Sequence, residues 1–290
     1  MKLINQSFEI LKQEDFSLIG IKKFIERCGR VCYKSEDRIT DTSYEKFVNM
    51  LIGRDHARPL EFGTVHLKMD NETFDYFIDD LIGADLYSSQ WIQYNCGDSD
   101  KYYYITTNYR LYLKLLEWNH TYSKYLTEED NERFPKRYTV HFIIDRAIMD
   151  EFRTHVGLSH LAESTRYCNY SKDKFGNQIT FVIPSWCNSL IEGSKQEYSS
   201  FEINENETEF MNALQNAQNS YLSLLKKGWT PQEARSVLPL GVKAELISCG
   251  FKDAWDNFFY RRCANDAHPM ARDITKPLKD KFIELGYINQ

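Results

Sequence analysis

Apolar residues recur along the first part of the chain at spacings that predict two helices followed by a strand. Over 16–33 they stand three or four positions apart, which is typical of an amphipathic helix. A second helix is predicted to begin after Thr42, where Glu45 completes a capping-box pattern, and to end at Gly53. Over 64–69 apolar and polar residues alternate, which indicates a strand with one buried face.

The segment from about 70 to 137, called the inserted segment below, is predicted to be an insertion into a single domain that spans 1–290. It contains no motif with known chemistry. The sequence leaves three roles open for it: a lid, a contact between subunits, or an addition with no function of its own. The elements predicted within it are helices at 72–82 and 109–118 and strands at 87–94 and 102–107, followed by a charged loop.

Strands and helices follow again after the inserted segment. The strand at 138–144 is predicted to pair with the strand at 64–69. The alternation of helices and strands predicts an α/β or α+β fold. The remaining elements are a strand at 179–183, a helix over 210–224 closed by Gly228, and a helix whose start is marked by Thr230, Pro231 and Glu233.

The composition is that of an ordinary globular protein. Of the 290 residues, 42% are hydrophobic, which is enough for a sizeable core. The net charge of −6 and the pI near 5.7 argue against a broad nucleic-acid-binding surface, which needs an excess of basic residues. We therefore expect any phosphate-bearing ligand to be small and to be bound locally.

The seven cysteines are scattered and include no pair with the spacing of a zinc site. We expect them to be reduced thiols, and the sequence predicts no metal site. No apolar run approaches the roughly 18 to 20 residues of a membrane-spanning helix. These features predict a cytoplasmic location, without membrane or nucleic-acid partners.

The segment 150–170 concentrates His, Ser, Thr, Arg, Tyr and Glu within a few turns. Ser164 and Thr165 supply hydroxyl groups and Arg166 supplies a guanidinium, a combination that binds phosphate through charge-assisted hydrogen bonds. The alternative interpretation is an exposed helix-to-loop segment with a solvated arginine. This peptide alone supports the two interpretations equally, because short motifs often match by accident.

The same segment resembles the signature of the flavin-dependent thymidylate synthases. The run ESTRY at 163–167 is similar to the end of that signature, and His155 followed by Ser159 is similar to its start. Further passages resemble family segments in the same order along the chain: His56, Pro59 and Glu61 before the first strand, Arg235 in EARSVLPL, and Asn257 to His268 near the C-terminus. Several partial matches in one order are more specific than any one of them.

The chain also departs from the family pattern. Thr154 and Val156 stand where the family has two arginines, and Arg153 lies one place before them. Arg58 stands where a serine or threonine is frequent, and His268 stands where many members have glutamine. Three alternatives therefore stay open: C5 hydroxymethylation of the pyrimidine, action on dCMP, and a non-catalytic paralogue that binds a nucleotide.

The resemblance implies a fold, a reaction and a set of partners. The implied fold is α/β, with a small, largely antiparallel sheet wrapped by helices, in a homotetramer whose active sites lie at subunit interfaces. The implied reaction is the reductive methylation of dUMP to dTMP, with methylenetetrahydrofolate as carbon donor, FAD as cofactor and NADPH as its reductant. The sequence contains neither GxGxxG nor GxxxxGK[ST], so FAD would occupy a site unlike a Rossmann or P-loop one.

Family roles carry over to individual residues. Arg262 is the catalytic candidate, because a guanidinium against the pyrimidine would stabilise the negative charge that develops there. The sequence lacks the Pro-Cys-His setting of the unrelated classical synthases, and Cys168 and Cys187 are expected to be buried neutral thiols. The residues expected to bind the substrate are Glu151, Glu163, Ser164, Thr165, Arg166, Arg235 and Arg262. The residues expected to line the flavin site are His56, Arg58, Glu61, Thr154, His155, Val156, Asn257 and His268.

Overall fold

The computed structural model describes residues 1–96, 101–166, 168–194 and 203–289. The strands are β1 (Lys2–Ile4), β2 (Ser7–Leu11), β3 (Thr64–Asp70), β4 (Ile92–Cys96), β5 (Tyr102–Asn108), β6 (Leu126–Thr127), β7 (Arg137–Asp145), β8 (Ser159–Ala162), β9 (Thr180–Val182) and β10 (Lys243–Phe251). The helices are α1 (Leu18–Tyr33), α2 (Ser43–Gly53), α3 (Asn71–Gly83), α4 (Tyr109–Trp118), α5 (Arg146–Arg153), α6 (Asn188–Ser194), α7 (Glu205–Lys226), α8 (Pro231–Ala234), α9 (Lys252–Arg262) and α10 (Pro269–Glu284).

The central sheet has the strand order β2-β7-β10-β8, and all its pairs are antiparallel. β10 pairs with β7 along its whole length, from Lys243 opposite Asp145 to Phe251 opposite Arg137. The sequence analysis did not predict β10, because its residues are buried almost throughout and do not alternate regularly between apolar and polar. A short parallel pair, β1 with β9, forms a separate sheet.

Helices cover both faces of the central sheet. On one face α9 and α10 pack against it through aromatic side chains, with Trp255 and Phe258 of α9 close to Phe142 of β7. On the other face α1 contributes Phe24 and Cys28. The predicted fold class, a largely antiparallel sheet wrapped by helices, is therefore confirmed.

The inserted segment forms most of a second four-stranded antiparallel sheet, with the order β4-β5-β3-β6. This sheet has a core of its own, in which Val65 and Ile105 pack with Ile21 and Ile25 of α1. Because α1 contacts both sheets, with Phe24 and Cys28 on the central sheet, it joins the inserted segment to the rest of the chain.

The prediction that the strand at 138–144 pairs with the strand at 64–69 is wrong. A strand has two edges for pairing, and β3 fills its own with β5 and β6 from the inserted segment. The edges of β7 are filled by β2 and β10. The pairing was mispredicted because neither of those neighbours had been recognised.

Several local predictions can be compared with the structure. The strand expected at 87–94 is shifted to β4, since turns precede it and Asp85 adopts a left-handed φ of 53°. The capping box at Thr42 does not form, whereas the one at Thr230 does. Gly228 ends α7 with a φ of +94°, a conformation that glycine adopts at little cost. No helix in the described ranges is long and apolar enough to cross a membrane.

Candidate functional site

A buried carboxylate, Glu61, lies between the inserted segment and the central sheet. Its carboxylate oxygens lie 2.6 Å from Nη1 of Arg110 and 3.2 Å from Nη1 of Arg58, and one accepts a hydrogen bond from Ser159 Oγ at 2.5 Å. Arg137 donates to its backbone carbonyl at 2.7 Å. These partners compensate the desolvation of a side chain that is fully buried. The 58–61 turn is thereby fixed against the start of β8.

A second group of polar residues lines a cavity of about 330 Å³ with a cationic wall. Arg235 donates from Nη1 to the hydroxyl of buried Thr165 at 3.2 Å. Arg146, the first residue of α5, also lines the cavity, and its buried Nη1 has no hydrogen-bond partner within the described residues. Since no carboxylate is among the described residues of the lining, the cavity suits a phosphate.

The segment at 163–166 is held in place by a buried charge network. Glu163 accepts from Lys243 Nζ at 2.8 Å, and Lys243 also contacts Glu245 at 2.6 Å. Burial would lower the pKa of Lys243, but the carboxylates of Glu163 and Glu245 outweigh it and raise the pKa. Lys34 and His141 complete the network on Glu245. Glu163 therefore lies in an internal network that supports the loop.

Arg262 and Glu151, both predicted to bind substrate, form an ion pair. Nη1 of Arg262 lies 3.0 Å from the Glu151 carboxylate, and Nη2 donates to the Glu151 carbonyl at 2.5 Å. The guanidinium also lies 5.8 Å from the ring centre of Phe152. The Arg262 side chain is 18% exposed, so part of it is accessible to a ligand.

His155 lies close to this pair and packs edge-on against Phe258. Burial lowers the pKa of His155, and the positive charge of Arg262 lowers it further. Its ring is therefore neutral near pH 7. Nε2 of the ring is buried and has no hydrogen-bond partner in the described part of the chain.

A second cavity, of about 360 Å³, contains two of the residues predicted to line the flavin site. Val156 is 80% exposed and lies in its wall together with Asn257 on α9. Another part of the wall comes from the turn at 88–90 of the inserted segment. The cavity is thus lined both by the inserted segment and by residues that follow it in the chain.

The remaining predicted residues lie at the surface or have structural partners. Exposed His56 contacts the Tyr33 hydroxyl through Nδ1 at 3.2 Å, and exposed Thr154 donates to the Glu151 carbonyl. His268 Nδ1 accepts from the backbone of Met270 and caps α10. The Ser164 hydroxyl accepts a hydrogen bond from the backbone N–H of Arg166. Arg166 itself is exposed.

Cys168 and Cys187 are both buried, as expected. Burial raises the pKa of the Cys168 thiol to about 12, and burial also raises the pKa of Cys187. Both are therefore neutral thiols near pH 7 rather than nucleophiles. Within the described residues no three His, Cys, Asp or Glu side chains come together as metal ligands.

The sequence analysis missed Arg110, Arg146 and Lys243 as site residues. Arg146 lies two positions after the strand predicted at 138–144, and a cation at a strand end was the signal that could have identified it. No local pattern marks Arg110, which reaches Glu61 across 49 positions of sequence. Lys243 lies in the unpredicted strand β10.

The fold and these cavities define a mixed α/β protein with one cationic cavity and a separate polar cavity that no arginine or lysine of the described residues lines. The family model described as thymidylate synthase complementing protein matches residues 134–285, which is just over half of the chain. The chain therefore belongs to this family, that of the flavin-dependent thymidylate synthases, and the resemblance seen in the sequence is confirmed. The match begins at residue 134, near the end of the inserted segment, and His56, Arg58 and Glu61 lie outside it.

A solved structure that is similar to this chain is that of the UMP/dUMP methylase PolB from Streptomyces cacaoi, bound with 5-Br dUMP. The sequence identity is 14% and the TM-score is 0.43, with 98% of this chain and 93% of that chain covered. No curated protein sequence matches the chain.

Proposed function

We propose that the protein methylates dUMP at C5 to form dTMP, with methylenetetrahydrofolate as carbon donor, FAD as cofactor and NADPH as its reductant. Membership of the family supports this reaction. The observation that carries the proposal is the cationic cavity of Arg146, Thr165 and Arg235, which has the donors that a nucleotide phosphate needs.

The phosphate would occupy the space between the two arginines of this cavity. Thr165 holds the Arg235 guanidinium by accepting its hydrogen bond at 3.2 Å. Arg146 Nη1 is buried without a partner among the described residues, and a phosphate oxygen would satisfy it. Ser164 and Arg166 flank Thr165 in the chain and are proposed to contribute further donors.

Arg262 is proposed to act on the pyrimidine. Its ion pair with Glu151 fixes the guanidinium before a substrate arrives, so little reorganisation is needed during the reaction. A fixed positive charge against the ring favours the electron-rich form that attacks a one-carbon unit. Glu151 is a positioning residue in this scheme.

The residues near Asn257 fit a flavin. Val156 and Asn257 face a cavity, and the neutral ring of His155 has an unpartnered Nε2 in the described structure. His56, Arg58, Glu61, Thr154 and His268 are the other residues proposed to hold the cofactor. When bound and reduced, the flavin supplies the hydride.

A second candidate function keeps the fold and changes the substrate or product. Thr154 and Val156 stand where the family has two arginines, and both are exposed. Arg153, one position earlier, has its Nη1 3.5 Å from Oδ1 of Asp150. This difference in charge favours C5 hydroxymethylation or action on dCMP as the alternative. A non-catalytic nucleotide-binding paralogue is the remaining one.

We also propose that the chain is a single cytoplasmic domain with an insertion, assembled as a homotetramer. Large apolar side chains are exposed close in sequence to the proposed site residues: Val156 at 80%, Tyr260 at 79% and Leu240 at 63%. Contact with other subunits would bury them. Active sites would then be completed at the interfaces.

Mass spectrometry of the nucleotide product tests the reaction. The purified protein is incubated with FAD, NADPH, methylenetetrahydrofolate and dUMP. The proposal expects the mass of one added methyl group. A hydroxymethyl product, or a product from dCMP alone, would replace it by the second candidate. Absence of both product and bound flavin would favour the non-catalytic paralogue.

A further inference from the structure

The inserted segment supplies one wall of the cavity that contains Val156 and Asn257. Ser88, Ser89 and Gln90 form this wall, on the turn that precedes β4. These residues belong to the part of the chain that the family model does not match. The cavity is thus lined by residues from inside and from outside the matched range.

Contacts within the inserted segment and with α9 fix this wall in place. Gln93 Nε2 donates to Asp253 Oδ1 at the start of α9 at 3.0 Å, across 160 positions of sequence. Thr107 Oγ1 donates to the carbonyl of Trp91 at 3.0 Å, and the Arg110 guanidinium lies 5.4 Å from the centre of the Trp91 ring. Because Arg110 also pairs with buried Glu61, the turn is tied to the 58–61 segment as well.

The chemistry of the lining selects the class of ligand. It offers the hydroxyls of Ser88 and Ser89 and the carboxamides of Gln90 and Asn257. No Lys or Arg is among the described residues of the lining, and Asp253 contributes a negative charge. Phosphate groups would be repelled here, whereas hydroxyl groups and the N–H and C=O groups of a heterocycle would be hydrogen-bonded.

We propose that residues 88–90 of the inserted segment bind the uncharged part of the flavin cofactor, namely its polyol chain and the polar edge of its ring. The phosphates then lie outside this cavity. This inference rests on the proposed function, since it assigns the cofactor of that reaction to this site. It gives the inserted segment a role in binding, in place of the lid or plain addition that the sequence left open.

Flavin affinity of the full chain tests the assignment. FAD and riboflavin are each titrated into wild-type protein and the double variant Ser88→Ala/Gln90→Leu, and binding is followed by quenching of flavin fluorescence. We expect about tenfold weaker binding of both ligands by the variant, the effect of losing one or two neutral hydrogen bonds. Gln215→Leu on α7 makes the same change outside the cavity and should bind like wild type.

A second variant and a salt series complete the experiment. Ser89→Trp fills the cavity and should abolish flavin binding while the far-UV circular dichroism stays unchanged. The affinity ratio of wild type to double variant should be equal at 50 mM and 500 mM NaCl, because the lost contacts are neutral.

The outcomes separate this inference from the proposed function. Wild-type affinity in both variants of a protein that binds FAD would overturn the inference alone. A ratio that falls with salt would also overturn it, since the turn would then contact the charged part of the ligand. No flavin binding by the wild type would overturn both the inference and the proposed reaction.

Discussion

At the scale of single residues, Arg146 is the residue whose geometry points most directly to a ligand. Its Nη1 is buried and unpartnered in the described structure, in a cavity that it shares with Arg235 and Thr165. An unsatisfied buried donor costs free energy in the unliganded protein. A phosphate oxygen that accepts from Arg146 Nη1 would remove that cost, which favours phosphate binding.

Replacing Arg146 by glutamine should weaken dUMP binding by about 10- to 100-fold, the effect of losing a charged hydrogen-bond donor. Deoxyuridine has no phosphate, so its affinity should change little. Isothermal titration calorimetry of both ligands measures the difference, and Arg27→Gln, on the exposed Arg27–Glu9 pair, is the matched control. Equal weakening of dUMP and deoxyuridine would assign Arg146 a structural role instead.

Buried histidines predict a loss of stability in mildly acidic solution. Burial lowers the pKa values of His66 and His160 to about 4, from an ordinary value of 6.5. Because the unfolded chain then takes up protons first, the free energy of unfolding falls as the pH falls below about 6.5. Glu245, whose pKa is lowered from 4.5, adds its loss only below about pH 4.5. The loss of stability between about pH 6.5 and pH 4.5 is therefore assigned to the histidines.

His66 alone should account for about 3 kcal/mol of this loss between pH 6.5 and 4. Its ring is stacked between Phe16 and Phe134, so His66→Phe keeps the packing and removes the titration. Urea unfolding at several pH values should show a shallower decline for this variant than for wild type, and exposed His120→Phe should leave the decline unchanged. Parallel curves for His66→Phe and wild type would contradict the assignment.

At the scale of elements, the pair of Arg110 on α4 with Glu61 couples the inserted segment to the core. Arg110→Leu leaves a fully buried carboxylate with fewer compensating charges, and should lower the free energy of unfolding by about 3 kcal/mol. Adding Glu61→Gln removes the uncompensated charge and should recover roughly half of the loss. Urea denaturation compares the variants. A double variant that is less stable than the single one would show that Glu61 is stabilised by its other partners.

The sequence predicted elements whose pattern is local and missed those whose pattern depends on the fold. α1 and β3 were recognised because each has one apolar face with the corresponding period. β10 was missed because Leu246 faces α9 and α10 while its neighbour Ile247 faces α1, so two apolar residues stand side by side. The alternation that Lys243 and Glu245 begin is interrupted there and is too short to indicate a strand.

The same distinction applies to the candidate site. Thr165 and Arg235 were both identified from family-like segments, and they meet although 70 positions separate them. Arg110 was missed because its role depends on the packing of a segment that has no counterpart in the signature. Motifs identify residues, whereas contacts between an insertion and a core appear only in three dimensions.

At the scale of the whole molecule, α1 explains how a chain with two sheets can act as one unit. Ile21 and Ile25 face the inserted sheet, and Phe24 and Cys28 face the central sheet. The Gln13 side chain donates to the Thr64 carbonyl through Nε2 and accepts from the Thr64 N–H through Oε1. Because one helix serves two cores, loss of either sheet would expose apolar surface of the other, which supports the proposed single domain.

At the same scale, exposed tyrosines on two parts of the chain distinguish where the subunits of the proposed homotetramer meet. Tyr260 on α9 is 79% exposed and close in sequence to Arg262, whereas Tyr76 on α3 of the inserted segment is 66% exposed. If the part of the chain that the family model matches, residues 134–285, forms the subunit contacts, Tyr260→Asp should lower the mass of the assembly. Light scattering would then give a smaller species than four chains of 34.3 kDa. Tyr76→Asp, the same change at a similar exposure, should leave the mass unchanged.

Dissociation by Tyr76→Asp alone would place the contact in the inserted segment, and a wild-type monomer would remove the tetramer from the proposal. Since the active sites are proposed to lie at these interfaces, Tyr260→Asp should lose product formation in step with its loss of mass, and full activity in a dissociated variant would show that one chain holds a complete site.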